Sequence, residues 1–291
     1  MKKILYLFLT LFIGITCVRA EEANISYQRL DGIYYNLNIN GNLDSNHVTS
    51  FHLNGRIAYC IEPGVAITTR VYDINTNWDN TTLSEQTKDY IQKVGYYGFE
   101  YPNHQTSYYY IAAQELIWKA INPSMEVVWS TGVNKTGDII NIEKEKAEIE
   151  KLVKDHSVFP SFAFKEFSDY LGREIIIEDQ NNVLDSYDMS ESKYHQITKE
   201  GNKLKIKLNQ IKQEDETITL TRKHYDNEPL LIYSKGDSQK LAALRIQVDN
   251  TAYFKISNKE FEEEIIDVPD TGINIKHNMN WKVMFNGFNL N

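Results

Sequence analysis

Helical periodicity occupies one window of this 291-residue chain and then stops. Between residues 82 and 156 apolar side chains recur every three to four positions. From Phe159-Pro160-Ser161-Phe162 onward they alternate in short runs separated by turn residues. That change of texture predicts an α+β protein: an N-terminal domain of mixed β-sheet plus helices, then an all-β Ig-like sandwich domain, with the boundary near Val158.

The N-terminal part opens with alternation at Ile25, Tyr27, Leu30, Ile33, Tyr35 and Leu37, and again at Val48, Phe51, Leu53, Ile57 and Tyr59. Turns are predicted at Asn40-Gly41-Asn42 and Asn54-Gly55. Cys60 then stands at the end of a strand, where Glu62-Pro63-Gly64 stops regular pairing. Thr82 to Tyr97 reads as a helix with Ser84 as N-cap and Leu83, Tyr90, Ile91 and Val94 on one face. A second helix runs from Thr106 to Ile121, capped by Thr106 or Ser107 and ended before Pro123. Gln114 shares a face of it with Tyr110, Ile111, Ile117 and Trp118, and a buried amide there must find partners. Asn122 to Asp138 reads as loop or short strand. Glu143 to His156 is a charged helix with Ile142, Ile149, Leu152 and Val153 inward, and its Glu143-Lys144-Glu145-Lys146 run is a solvated face. Strands are predicted after it at 175–177, 183–184, 204–208, 218–220, 230–232, 244–248 and 253–256. The predicted segments are 1–20, 21–157, 158–266 and a tail, 267–291.

Met1 to Ala20 reads as a secretory signal peptide: Lys2 and Lys3, an apolar run from Ile4 to Thr16, and small residues around Val18-Arg19-Ala20. Gly14-Ile15-Thr16-Cys17 is a poor lipobox, with Thr before the cysteine. Losing the signal takes the formal charge from −9 to −12, because it holds three basic residues and no acids. Such an acidic chain is a poor candidate for nucleic acid or an anionic membrane. Seven histidines lie scattered without metal-ligand spacing, and there is neither a Gly-rich phosphate loop nor an HExxH motif. Metal, nucleotide and cofactor chemistry are therefore not expected. Of the two cysteines, Cys17 leaves with the signal. Cys60 is left without a disulfide partner, which means intermolecular pairing, a reactive thiol, or a small buried hydrophobe.

Two motifs carry a resemblance. Tyr59-Cys60-Ile61-Glu62 and Ala113-Gln114-Glu115-Leu116-Ile117-Trp118 are similar to the two halves of the thioester (TQxA) domains of Gram-positive surface adhesins. The resemblance covers roughly Ile25 to His156, with Ala113 where the family often has Thr. It implies an internal thioester joining Cys60, which supplies sulfur, to Gln114, which supplies the acyl carbon. Tyr59, Tyr110, Ile117 and Trp118 would shield or orient the bond. Glu62 or Glu115 would shuttle a proton, and His104 would be a solvated loop residue. The implied function is covalent capture of an amine, such as a lysine, on a host or surface protein. That reaction occurs once per molecule, so the chain would not be a turnover enzyme. A thiol attacking an unactivated amide needs both groups held in attack geometry, which a strand and a packed helix provide.

Two alternatives stand beside this reading: a non-covalent binding module with an inactive thioester, and a secreted cysteine hydrolase pairing Cys60 with His104 or His156. Near the C-terminus, Val268-Pro269-Asp270-Thr271-Gly272 resembles the LPxTG signal by which sortases attach proteins to peptidoglycan. A working signal is followed by an apolar span and a basic end. Ile273 to Asn291 is Asn-rich and supplies neither, so the anchor is degenerate or truncated, or the motif is coincidental. The expected location is secreted or at the cell wall. A Lys–Asn isopeptide crosslink is an option in the second domain, but no triad stands out.

Overall fold

The computed structural model describes residues 21–79, 81–169, 173–209, 214–225, 228–248, 251–258, 263–267, 274–278 and 283–285. The expected signal peptide and the VPDTG motif at 268–272 lie outside the described residues. In chain order the elements are β1 (Glu22–Ile39), β2 (Asn42–Leu53), β3 (Arg56–Cys60), β4 (Val71–Asn75), α1 (Glu85–Tyr96), α2 (Ser107–Ile121), β5 (Glu126–Ser130) and α3 (Glu143–Asp155). There follow β6 (Glu166–Asp169), β7 (Glu174–Glu178), β8 (Tyr187–Met189), β9 (His195–Glu200), β10 (Lys203–Leu208), β11 (Glu216–Arg222), β12 (Leu231–Lys235), β13 (Ser238–Ala243) and β14 (Thr251–Asn258). Three short strands close the series: β15 (Glu263–Asp267), β16 (Asn274–Asn278) and β17 (Val283–Phe285). Strands outweigh helices, and the α+β expectation holds.

The chain packs as two compact units, neither continuous in sequence. The first comprises residues 21–83, 121–140 and 230–243; the second comprises 84–120, 141–229 and 244 onward. In the first, seven strands form one sheet in the order β2-β3-β13-β12-β4-β1-β5. Because β1 also pairs with β2, the ring β1-β2-β3-β13-β12-β4 closes on itself. Closure removes the exposed edges that an open sheet of these strands would present. Every pairing in this sheet is antiparallel, where a mixed sheet was expected.

The hairpins explain that direction. Asn40 and Gly41 (φ 53° and 88°) and Asn54 and Gly55 (φ 51° and 81°) are left-handed pairs. They sit between the partners Ile39 and Asn42 and between Leu53 and Arg56. Two-residue turns of this kind match strand twist and join neighbours antiparallel. Both faces are covered around β3: Leu53, Cys60 and Leu241 lie on one side and Ile57 and Tyr59 on the other, and Ala23, Tyr72 and Ile232 are buried as well. Each large apolar side chain so buried contributes roughly 2 kcal/mol.

The largest departure from expectation concerns the hairpin at 231–243. The sequence places it with the strands of a second domain, 158–266. Instead β12 pairs with β4 and β13 with β3, so the hairpin completes the sheet that carries Cys60. The division at 157/158 therefore does not describe the packing: two strands from beyond it supply ladder bonds that β3 and β4 need. Within this stretch the expected strand at 244–248 is not one; the strand is β13, and it ends at Ala243.

In the second unit, the sheets β7-β10-β9 and β6-β14-β11-β8 share a core of Phe162, Leu184, Leu204, Ile206, Ile218, Leu220, Phe254 and their neighbours. Here β6 and β14 run parallel. The same unit holds the helices. Ser84 caps α1, its hydroxyl accepting from the Thr87 N–H at 3.1 Å. All nine residues of α2 from Tyr110 to Trp118 are buried. The middle of this helix is buried on every side, where one apolar stripe was expected.

Candidate functional site

Cys60 is the last residue of β3, and its Cα partner on β13 is Leu241. The ladder runs one residue further, with the Ile61 N–H donating to the Lys240 carbonyl at 3.1 Å. Two residues before Leu241, on the same sheet face, stands Gln239. It is a diagonal neighbour of Cys60, a separation that a long side chain spans. The Cys60 thiol donates to Gln239 Oε1 at 3.2 Å. Both residues are buried, at 4 % and 7 % exposure. A sulfur nucleophile thus sits against a carboxamide in a dry sheet interior.

Gln239 is fixed at four points. Its N–H donates to the Ala66 carbonyl at 3.0 Å, and its carbonyl accepts from the Tyr72 hydroxyl at 3.1 Å. Its Oε1 accepts from the thiol, and its Nε2 donates to the Glu62 carbonyl at 3.1 Å. Next to it the Ser238 hydroxyl accepts from the Thr68 N–H and bonds the Tyr72 hydroxyl, both at 2.9 Å. Few rotamers remain to be frozen before reaction, the condition for a high effective concentration.

Glu62 owes its place to a turn. The Val65 N–H donates to the Glu62 carbonyl at 3.2 Å, and Gly64 between them has φ 87°. Pro at the second position and a left-handed Gly at the third are what a type II turn requires. The turn aims the Glu62 carbonyl at the Gln239 amide. The Glu62 carboxylate accepts from the Lys240 N–H at 3.0 Å and pairs with Lys240 Nζ, which fastens the same strand from its other side.

Burial pushes the Cys60 thiol far above its usual range. At neutral pH it is a protonated donor, consistent with its hydrogen bond to Oε1, and attack on the amide must be coupled to loss of that proton. Burial also raises Tyr72, as the largest cause, with Cys60 among the groups whose charge adds to the shift; Tyr35 is raised in the same way, with the nearby Asp44 as a further cause. Both phenols stay protonated.

The structure distributes the expected site residues unevenly. Tyr59 is fully buried on β3 beside Cys60, and Glu62 touches Gln239. Gln114, Tyr110, Ile117 and Trp118 are buried on α2, which belongs to the other unit. Glu115 is buried on the same helix, and its carboxylate is engaged by Lys146 at 2.9 Å and Lys119 at 3.1 Å. The Lys146 pair ties α2 to α3. His104 is buried, not solvated: its Nδ1–H donates to the Tyr97 carbonyl at 2.7 Å, and its ring stacks on Tyr109 at 3.8 Å. His156 is also buried and shares a 2.8 Å hydrogen bond with the Tyr97 hydroxyl. Gln239 is the residue that sequence reasoning missed. Among the described residues no cluster of three or more His, Cys, Asp or Glu side chains could hold a metal ion.

This architecture matches that of the thioester domain of the Staphylococcus aureus TIE protein, with a TM-score of 0.60 and 22 % identity. The match covers 82 % of this chain and 100 % of that one. The chain has a thioester-domain fold. No family model and no curated protein matches it. A share of 82 % is more than any span ending at residue 157 can supply, so the thioester-domain fold runs beyond the stretch that carries the sequence motifs.

Proposed function

We propose that this chain is a covalent adhesin whose internal thioester joins Cys60 to Gln239, in place of the Cys60–Gln114 pair that the sequence motifs imply. The observation that carries this is the 3.2 Å contact between the buried thiol and the Gln239 amide oxygen, with that amide held by a further bond from its nitrogen. In the forming step the Cys60 sulfur attacks Gln239 Cδ. The S–C bond forms, the C–Nε2 bond breaks, and the thiol proton leaves on nitrogen as ammonia. In the capture step a neutral amine on a partner attacks the same carbon. The new C–N bond forms, the S–C bond breaks, and one amine proton ends on Cys60 sulfur. Each molecule reacts once. The sheet interior keeps water from the stored acyl group.

The partner class is a host or surface protein presenting a lysine, and the place of action is the bacterial surface. We assign the two sheets that share the second unit's core largely to the thioester-domain fold itself, not to a separate Ig-like spacer, because the match spans 82 % of the chain.

Intact-mass spectrometry of the chain from residue 21 tests the assignment. The expected mass is one ammonia below the sequence mass, and alkylation of Cys60 is blocked until methylamine is added. Gln239→Ala should carry the full mass and a thiol that alkylates on denaturation, while Gln114→Ala should keep the ammonia deficit. A deficit that survives in Gln239→Ala overturns the assignment.

A further inference from the structure

Gln239 Nε2 has one hydrogen-bond acceptor, the Glu62 backbone carbonyl at 3.1 Å. That carbonyl is aimed by the Glu62-Pro63-Gly64-Val65 turn, whose own bond from the Val65 N–H uses one of its two lone pairs. We propose that the Glu62 carbonyl is the specificity element for the attacking nucleophile: it admits primary amines and disfavours secondary amines and alcohols. This rests on the Cys60–Gln239 thioester reading.

The argument follows from where atoms sit before and after reaction. When the thioester forms, the departing nitrogen leaves the Glu62 carbonyl facing the position from which the next nucleophile must come. By microscopic reversibility, that nucleophile arrives where ammonia left. It needs two protons on the attacking atom. One passes to the Cys60 sulfur as the S–C bond breaks. The other must remain, to donate to the Glu62 carbonyl as Gln239 Nε2–H does here. A primary amine has both, and its product is a secondary amide with one N–H left for Glu62. A secondary amine gives a tertiary amide with no N–H. An alcohol gives an ester with no O–H. In either case a partly buried carbonyl loses a partner in the transition state and product, which costs about tenfold in rate. The carbonyl cannot turn away, because Gly64 at φ 87° and the Lys240 bonds to the Glu62 carboxylate hold both flanks.

The test uses the chain from residue 21 after intact mass has established the ammonia deficit. A full sequence mass at this stage sinks the thioester reading and this inference together. With the deficit present, the rate of Cys60 thiol release is measured with n-propylamine, isopropylamine and azetidine. The same three amines are run against a free peptide thioester to remove intrinsic nucleophilicity. Azetidine is compact and secondary; isopropylamine is branched and primary. The expected result is that both primary amines keep their peptide-relative rates while azetidine falls about tenfold below them. Azetidine reacting within twofold of n-propylamine, or isopropylamine slowed as much as azetidine, overturns the inference and leaves the thioester standing.

Discussion

Opening the crosslink without unfolding the chain should lower its thermal stability by an amount set by loop length. A Cys60–Gln239 thioester joins residues 179 positions apart. The chain-entropy treatment used for disulfides gives about 5 kcal/mol for closing a loop of that length. In a protein of this size each kcal/mol moves the melting temperature by roughly 2–4 °C, so the intact form should melt roughly 10–20 °C above the opened one. Methylamine supplies the perturbation: it frees the thiol and leaves only an N-methyl group on the Gln239 amide. Calorimetry of the same preparation before and after treatment, with mass confirming each state, reads the difference. Native-state strain around the bond reduces the gain, but its sign is fixed. Closed and opened forms melting within about 2 °C of one another would refute the argument that the bond closes a loop of that length.

Two further outcomes concern the second unit. The Asp179 carboxylate is buried and accepts from four backbone N–H groups, those of Ser161, Asn181, Val183 and Leu184, at 2.7–3.0 Å. Asp179→Ala strands these donors and should cost about 3 kcal/mol in urea unfolding; a loss under about 1 kcal/mol would show that water replaces the carboxylate. His156 is pushed down to about 4 from 6.5, by burial first and then by Lys93 and Arg222, with Asp89 opposing. The unfolded chain therefore takes up this proton before the folded one does. Stability is complete above pH 6.5, falls as pH drops toward 4, and is level below that, by about 2 kcal/mol after allowing for solvent screening. Replacing His156 with Gln should flatten the urea midpoint across that window, and an unchanged slope would count against the burial.

Local features were legible in the sequence, and long-range pairing was not. The Asn40-Gly41 and Asn54-Gly55 turns, the Ser84 cap and the three helices follow from residues within one or two turns of each other. Cys60 was marked by its missing partner and by the Glu62-Pro63-Gly64 stop. Gln114 drew attention as a polar residue among apolar ones, and it is buried. But every residue of α2 from Tyr110 to Trp118 is buried, so burial there says nothing about which group reacts. Gln239 gave no such signal: it sits between Ser238 and Lys240 in Ser238–Ala243, a segment without polar-apolar alternation in which no strand was expected. Its role depends on the pairing of β13 with β3, which brings Leu241 opposite Cys60 across most of the chain. No periodicity encodes that register. His104 was misread for a similar reason, since its burial depends on the Tyr97 carbonyl and the Tyr109 ring and not on its own loop.

The interleaved sheet also has a consequence in time. Proteins are made from the N-terminus onward at roughly 5–20 residues per second. Cys60 emerges early, but the strand that carries its amide partner is among the last pieces of the sheet to arrive. A fragment ending before residue 231 has the thiol and neither the carboxamide nor the backbone that closes the ring. On the proposed Cys60–Gln239 pairing, the bond is withheld during synthesis until the 231–243 hairpin has been made and has joined β3 and β4.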